Sequence, residues 1–178
     1  RKELITMFDK DYSFRGTHAV KVKELTKPFN TKGNALFARN LDVYLLAPII
    51  GFMYGRKSEF DNSGETTNIL LDAMSRETNT LWFTYRLIML LDKQNEPDYN
   101  KRIEKAFRYY GSNQAKSDEE LYESYVRGGV DVIYEKLIIG SIQPEDYLRK
   151  LYEFLEEFKE RYSHNSDEIL DLVRLANG

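Results

Sequence analysis

His18 and His164 are the chain's two histidines, and neither has a second histidine one helical turn away, as a zinc-protease helix needs. Arg15 with His18, and Arg161 with His164, stand too close for the arginine–histidine motif of helical ribonucleases. Each histidine therefore reads as a solvated or hydrogen-bonded side chain. Gly55-Arg56-Lys57-Ser58 echoes the end of a phosphate-binding loop, where backbone N–H groups cradle an anion and a lysine and a hydroxyl follow. The first glycine and a preceding buried strand are missing, so the competing expectation is a helix exit at Gly55 with basic residues complementing the helix dipole. The absence of cysteine excludes disulfides, thiolate nucleophiles and sulfur-ligated metal centres. No catalytic residue, metal ligand or cofactor is assigned from these residues.

Carboxylates and one arginine offer three further candidates. Asp118, Glu119, Glu120 and Glu123 open a helix, where negative charge opposes the positive end of the macrodipole, so a solvated first turn accounts for them. Asp42 lies in an otherwise apolar helix and is costly to bury unpaired; Arg39, three residues earlier, shares its face and makes a structural ion pair with it the expectation. Arg86 stands among apolar neighbours and needs either a buried acidic partner or an exit along its aliphatic stem. Arg39, Asp42 and Arg86 are thus the ion-pair candidates.

The binding-type constellation is basic and aromatic. Lys21, Lys23, Lys27, Lys32 and Arg39 interleave with Phe29 and Phe37, and Arg56 and Lys57 stand at the far end of the following helix. Cations of this kind neutralise phosphates while exposed aromatics stack on unpaired bases. Alternatively the phenylalanines anchor the core and the lysines solubilise a loop, and the net charge of −3 argues against an obligate nucleic-acid binder. That net charge hides a polarity: residues 1–60 carry 11 basic and 6 acidic side chains, while residues 117–160 carry 5 basic and 12 acidic. Segregation along the chain becomes a surface dipole only if the fold keeps those segments apart.

The elements that must position these residues read as helices. Glu145 to Tyr162 repeats Tyr147, Leu151, Phe154, Leu155, Phe158 and Tyr162 at helical spacing behind a first-turn Pro144. A second helix begins at Ser117 with Glu120 in capping-box spacing and stops at Gly140; inside it, Gly128-Gly129 implies a bend or a closely packed neighbouring backbone. Shorter helices are expected over Pro97–Tyr110 and Ser166–Leu175. Thr80 to Leu91 is apolar on nearly every side, as is Leu36 to Tyr54, where Pro48 demands a kink or break and Gly51 with Gly55 puts two bare patches on one face for close helix approach. Residues 56–65 form a polar loop. Across Asp11 to Asn34 a short helix followed by a loop is favoured over an edge strand at Val20-Lys21-Val22-Lys23.

The expected fold is all-α: one domain over residues 1–178, less regular over 1–35, with six to eight helices around two central ones near 36–55 and 79–92. Composition, at 42% hydrophobic and 31% charged, is that of an ordinary globular chain rather than a disordered one. The longest apolar run, Leu41 to Gly55, includes Asp42 and is too short to span a bilayer, and Arg1 to Lys10 reads as an amphipathic helix without a signal-peptide cleavage site. A soluble, cytoplasmic protein is expected.

Leu41 to Asp61 (LDVYLLAPIIGFMYGRKSEFD) resembles the Dnd system-associated protein 4 group, small accessory proteins of bacterial DNA-phosphorothioation and phage-defence loci. The resemblance lies in an apolar helix leading to a glycine, a second glycine and paired basic residues. It implies a bacterial accessory protein whose partners are other proteins of a defence system, on DNA or off it. It transfers no catalytic residue, but draws interest to Gly51, Gly55, Arg56 and Lys57. The leading expectation is a non-enzymatic protein-interaction module, contacting other proteins or itself. Nucleic-acid binding through the basic N-terminal third is the second, and a hydrolase using helix-borne carboxylates and a metal the third.

Overall fold

Tyr12-Ser-Phe-Arg alternates aromatic and polar side chains. In the computed structural model, which describes residues 6–162 and 166–178, it forms strand β1 (Tyr12–Arg15). The β-branched run Thr66–Ile69 forms β2 and pairs with it antiparallel, Tyr12 opposite Ile69 and Arg15 opposite Thr66. Gly16, at φ 57°, then turns the chain into α1 (Gly16–Thr26), and its N–H donates to the Glu65 carbonyl at 2.8 Å. Ala19, Val22 and Leu25 form the buried stripe of α1, which is why Val20 to Lys23 is helical and not a strand. This small two-stranded sheet is an addition to a helical fold that is consistent with the all-α expectation; four-residue strands contain too few alternations to stand out from their flanks. The described residues are otherwise mostly helical, with 65% helix in eight helices.

The helix expected from Leu36 begins later, as α2 (Asn40–Met53), because the Asp42 carboxylate accepts the Arg39 backbone N–H at 2.9 Å and fixes the first turn there. It continues through Pro48 without a break, with the proline ring buried. The expected helix over Arg1 to Lys10 is not found where it can be seen: residues 1–5 lie outside the described residues, and 6–10 form turns that bury Met7 and Phe8.

α3 (Leu71–Arg76) and α4 (Thr78–Leu91) follow β2, and α4 buries Leu81, Tyr85, Ile88, Met89 and Leu90. The segment expected as one helix from Pro97 is α5 (Tyr99–Ile103), capped by the Asp98 carboxylate on the Lys101 N–H, running into a π-helical turn at Glu104–Arg108. A short 3₁₀ turn at Asn113–Ala115 leads into α6 (Lys116–Leu137), so Ser117 lies inside the first turn and does not cap it. α7 (Pro144–Tyr162) and α8 (Ser166–Asn177) complete the chain. Leu155, expected on the inner face of α7, is largely exposed, whereas Phe154 beside it is buried.

The tightest packing joins α2 to α6. A side chain on Gly129 would run into the Ala47 carbonyl, one on Gly51 into the Tyr125 carbonyl, and one on Gly128 into the Arg56 carbonyl. Each helical glycine costs about 1 kcal/mol relative to alanine, and the closer approach of two backbones offsets that cost through dispersion and Cα–H···O contacts. Gly55 departs from the expected pairing with Gly51: open space surrounds it, and at φ 60° it is the left-handed residue that ends α2. Around this seam Val43, Tyr44, Ala47, Val126, Val130 and Ile133 have essentially no exposed surface. Among the described residues, no helix is long and apolar enough to cross a membrane.

Candidate functional site

A half-open cleft of about 770 Å³ runs along β1, with the N-terminal half of α6 as its opposite wall and the loop at Phe60 and Asp61 closing one end. Every residue of β1 lines it, together with Lys10, His18, Lys116, Glu119, Glu120, Glu123 and Arg127, and no residue of β2 does. The volume lies within the range of about 300–1,000 Å³ common to ligand sites.

Tyr12 and Glu123 tie the two walls together. Tyr12, on the inward face of β1, donates its hydroxyl to Glu123 Oε2 at 2.8 Å, and Tyr44 of α2 donates to Oε1 at 2.8 Å. Burial pushes the Glu123 carboxyl above its usual range, although both phenols and the nearby Arg127 charge work in the opposite direction. The same burial, with the Glu123 charge beside them, raises both tyrosines. Arg127, one turn along α6, donates Nε to the Ser58 carbonyl at 2.8 Å, and its guanidinium packs 5.9 Å from the Phe60 ring centre. The loop's other anchor is Asp61, which accepts from the Thr17 backbone N–H at 2.9 Å and from Ser63; these hydrogen bonds, led by the Ser63 hydroxyl, hold its carboxyl well below the ordinary range.

Behind the cleft, Asp131 of α6 is met by side chains from α1 and from the loop after α2. Burial alone would raise its pKa, but His18, Lys21 and Ser58 together bring it well below the usual carboxylate range. Lys21 Nζ lies 2.6 Å from Oδ1, the Ser58 hydroxyl donates to Oδ2, and His18 Nε2 sits 3.2 Å from Oδ1 but off the line of a hydrogen bond. His18 is 5% exposed, and neither ring nitrogen has a hydrogen-bond partner among the described residues. This buried position replaces the solvated alternative for His18; His164 lies outside the described residues.

No family model, no curated protein and no solved structure matches the chain.

Five of the seven basic residues named from the sequence are drawn into ion pairs. Lys21 meets Asp131, Lys23 meets Glu65, Lys27 comes within 3.9 Å of Glu24, and Arg39 lies 2.6 Å from Asp42. Arg56 lies 2.9 Å from Glu135, while Lys57 sits 5.4 Å from the Tyr125 ring centre. Lys32 is exposed in the loop after α1. Arg39 and Arg56 stand at opposite ends of α2, about 20 Å apart by helical rise. Phe29 stacks on Tyr147 at 5.2 Å and Phe37 packs against the core, so both act as anchors. The pairs Lys21–Asp131 and Arg56–Glu135 join the basic N-terminal segment to the acidic C-terminal one, so the fold spends the charge polarity of the sequence internally.

Other candidates also find their partners within the fold. The Arg39–Asp42 pair is exposed at a helix start, not buried mid-helix. Arg86 lies over the rings of Trp82, at 4.7 Å, and Phe107, at 5.2 Å, and pairs with no carboxylate among the described residues. At the phosphate-loop echo the backbone N–H of Arg56 donates to Gly51 and that of Ser58 to Ser124, leaving neither free for an anion. Asp118, expected in a solvated turn, is buried against Lys105 at 3.0 Å. Among the described residues, no three histidine, aspartate or glutamate side chains are grouped to hold a metal. Glu123 is the site residue the sequence conceals: it sits in a run of helix-opening acids, and its partners Tyr12 and Tyr44 are remote in the chain.

Proposed function

We propose that this protein is an interaction module that presents the cleft between β1 and α6 to another protein. The observation that supports this most is the state of the cleft's inner groups. Glu123 is held by two phenols, Asp61 by the start of α1, and Arg127 by the Ser58 carbonyl, so the walls are fixed before a partner arrives. Lys10, Lys116, Glu119 and Glu120 line the same cleft and give it charges of both signs beside the aromatic Phe60. Mixed charge next to an exposed aromatic suits a protein surface better than a phosphate backbone. The ion pairing of Lys21, Lys23, Arg39 and Arg56 weakens the case for nucleic acid. Following the resemblance of Leu41 to Asp61, the partner belongs to a bacterial defence system. Charge reversal at Lys116→Glu and Glu120→Lys, both exposed in the cleft at the start of α6, should release a co-purifying partner while the thermal unfolding midpoint stays within a few degrees; retention of the partner by both variants would contradict the proposal.

A specific observation favours self-association as a second contact. Leu148, Tyr152 and Leu155, one stripe along α7, are 57%, 66% and 58% exposed, a larger apolar display than an isolated surface leucine. Light scattering on the purified chain should then show a mass above the monomer that Tyr152→Glu lowers.

A further inference from the structure

The cleft's strand wall has a free edge. In the β1–β2 ladder Gly16 donates to the Glu65 carbonyl, so the alternation of an antiparallel pair directs the backbone groups of Phe14 and Tyr12 toward β2 and the N–H and C=O of Ser13 away from it. Among the described residues nothing pairs with those Ser13 backbone groups. The outer edge of β2 is different: Asn40, at the start of α2, donates Nδ2 to the Thr67 hydroxyl at 2.8 Å and to the Asn68 carbonyl at 3.3 Å, which blocks it. The cleft is lined by all of β1 and none of β2, so it lies on the open side of the sheet.

We propose that the cleft binds an extended peptide segment of the partner, which adds to β1 as a third antiparallel or parallel strand with α6 as its far wall. This rests on the protein-contact role proposed above and names the form the partner takes there. The backbone supplies the chemistry: a peptide in extended conformation presents an N–H and a C=O at the spacing that Ser13 leaves unmatched, and main-chain pairing of this kind is a recurring mode of peptide capture at sheet edges. Side chains set the preference. Glu119 and Glu120 are adjacent acids on the α6 wall, so the segment carries a lysine or arginine facing them. Phe60 and Arg127 at the loop end offer a ring and a guanidinium to an aromatic or acidic residue farther along.

The test begins with a phage-displayed library of random linear peptides panned against the full chain. Selected peptides are then titrated by fluorescence anisotropy against the wild type, Ser13→Ala and Ser13→Pro. Proline at position 13 removes the edge-facing N–H and leaves the β1–β2 ladder intact, because that N–H takes no part in it. Circular dichroism melting checks that the variant folds, and amide hydrogen exchange on the wild type with bound peptide gives a readout that needs no variant. The proposal expects peptides enriched in lysine or arginine, affinity unchanged in Ser13→Ala and roughly tenfold weaker in Ser13→Pro, the scale of one or two lost hydrogen bonds. It also expects slowed exchange at Ser13 on binding. Peptides that compete for the cleft yet leave Ser13 exchange unchanged would overturn strand addition while leaving the cleft as a protein contact. A library yielding no cleft-directed peptide would overturn it too, whereas a partner that tolerates both Lys116→Glu and Glu120→Lys would sink the contact role itself.

Discussion

Tyr12 and Glu123, 111 positions apart in sequence, meet through a 2.8 Å hydrogen bond that fastens the strand wall of the cleft to its helix wall. Tyr12 also packs at 4.3 Å against the ring of Tyr44, the second donor to the same carboxylate, so one acid organises two aromatic side chains from different elements.

Removing one donor tests that arrangement. Tyr12→Phe should cost about 1.5–3 kcal/mol, the range for a hydrogen bond to a charged group, read from urea unfolding. The carboxyl of Glu123 is raised in the fold, so the native state holds its proton more tightly than the unfolded chain does. Stability therefore falls as pH rises from the unfolded glutamate value, about 4.3, through the folded one. Glu123→Gln should compare more favourably with the wild type at pH 8 than at pH 4. A constant difference across that range would show that the carboxyl does not titrate differently in the two states.

Asp131 should behave in the opposite sense. Its folded pKa is depressed, so the stability it contributes is present above the unfolded aspartate value, about 3.9, and is lost as pH falls through the folded one. Asp131→Asn strands the charge of Lys21 beside a buried His18 and should cost about 3 kcal/mol at neutral pH. The gap between variant and wild type, followed by denaturant melts, should narrow below pH 4.

The α2–α6 seam separates two glycines that look equivalent on paper. Gly129→Ala should lose roughly 3 kcal/mol, since its methyl group collides with the backbone of Ala47 and the gain in helix propensity, about 1 kcal/mol, is too small to compensate. Gly55→Ala should lose only about 1–2 kcal/mol, the cost of a left-handed residue with a side chain in open space. Equal losses would mean that the seam is looser than described.

Nucleic-acid affinity supplies a fourth check. Lys21, Lys23 and Arg56 are occupied by acids, so labelled single-stranded DNA in an anisotropy titration should show no steep fall of affinity with salt that charge reversal at these positions abolishes. A salt slope that drops with each reversal would return the basic residues to a binding role.

Helical periodicity made most of this fold legible. The stripes behind Ile133, Phe154 and Ile88 recur often enough to declare a helix, and Gly128-Gly129 announced a close neighbour without identifying it. The strands stayed hidden because Tyr12–Arg15 and Thr66–Ile69 gain their identity only by pairing across the fold. The cleft was illegible for the same reason: Glu123 belongs locally to a helix start, and only tertiary contact with Tyr12 and Tyr44 makes it a wall of a site. The pairing of the basic residues was hidden in the same way, since nothing near Lys21 in the chain announces Asp131 as its partner.

Site-specific photo-crosslinking in cells tests the central claim most directly, with a benzophenone amino acid placed at Glu120 in the cleft and, as a control, at Lys32 in the exposed loop after α1. A cleft that contacts a protein partner predicts one discrete crosslinked species from position 120, lost when Lys116→Glu is added, and none from position 32. No adduct from position 120, or the same adducts from both positions, would contradict it.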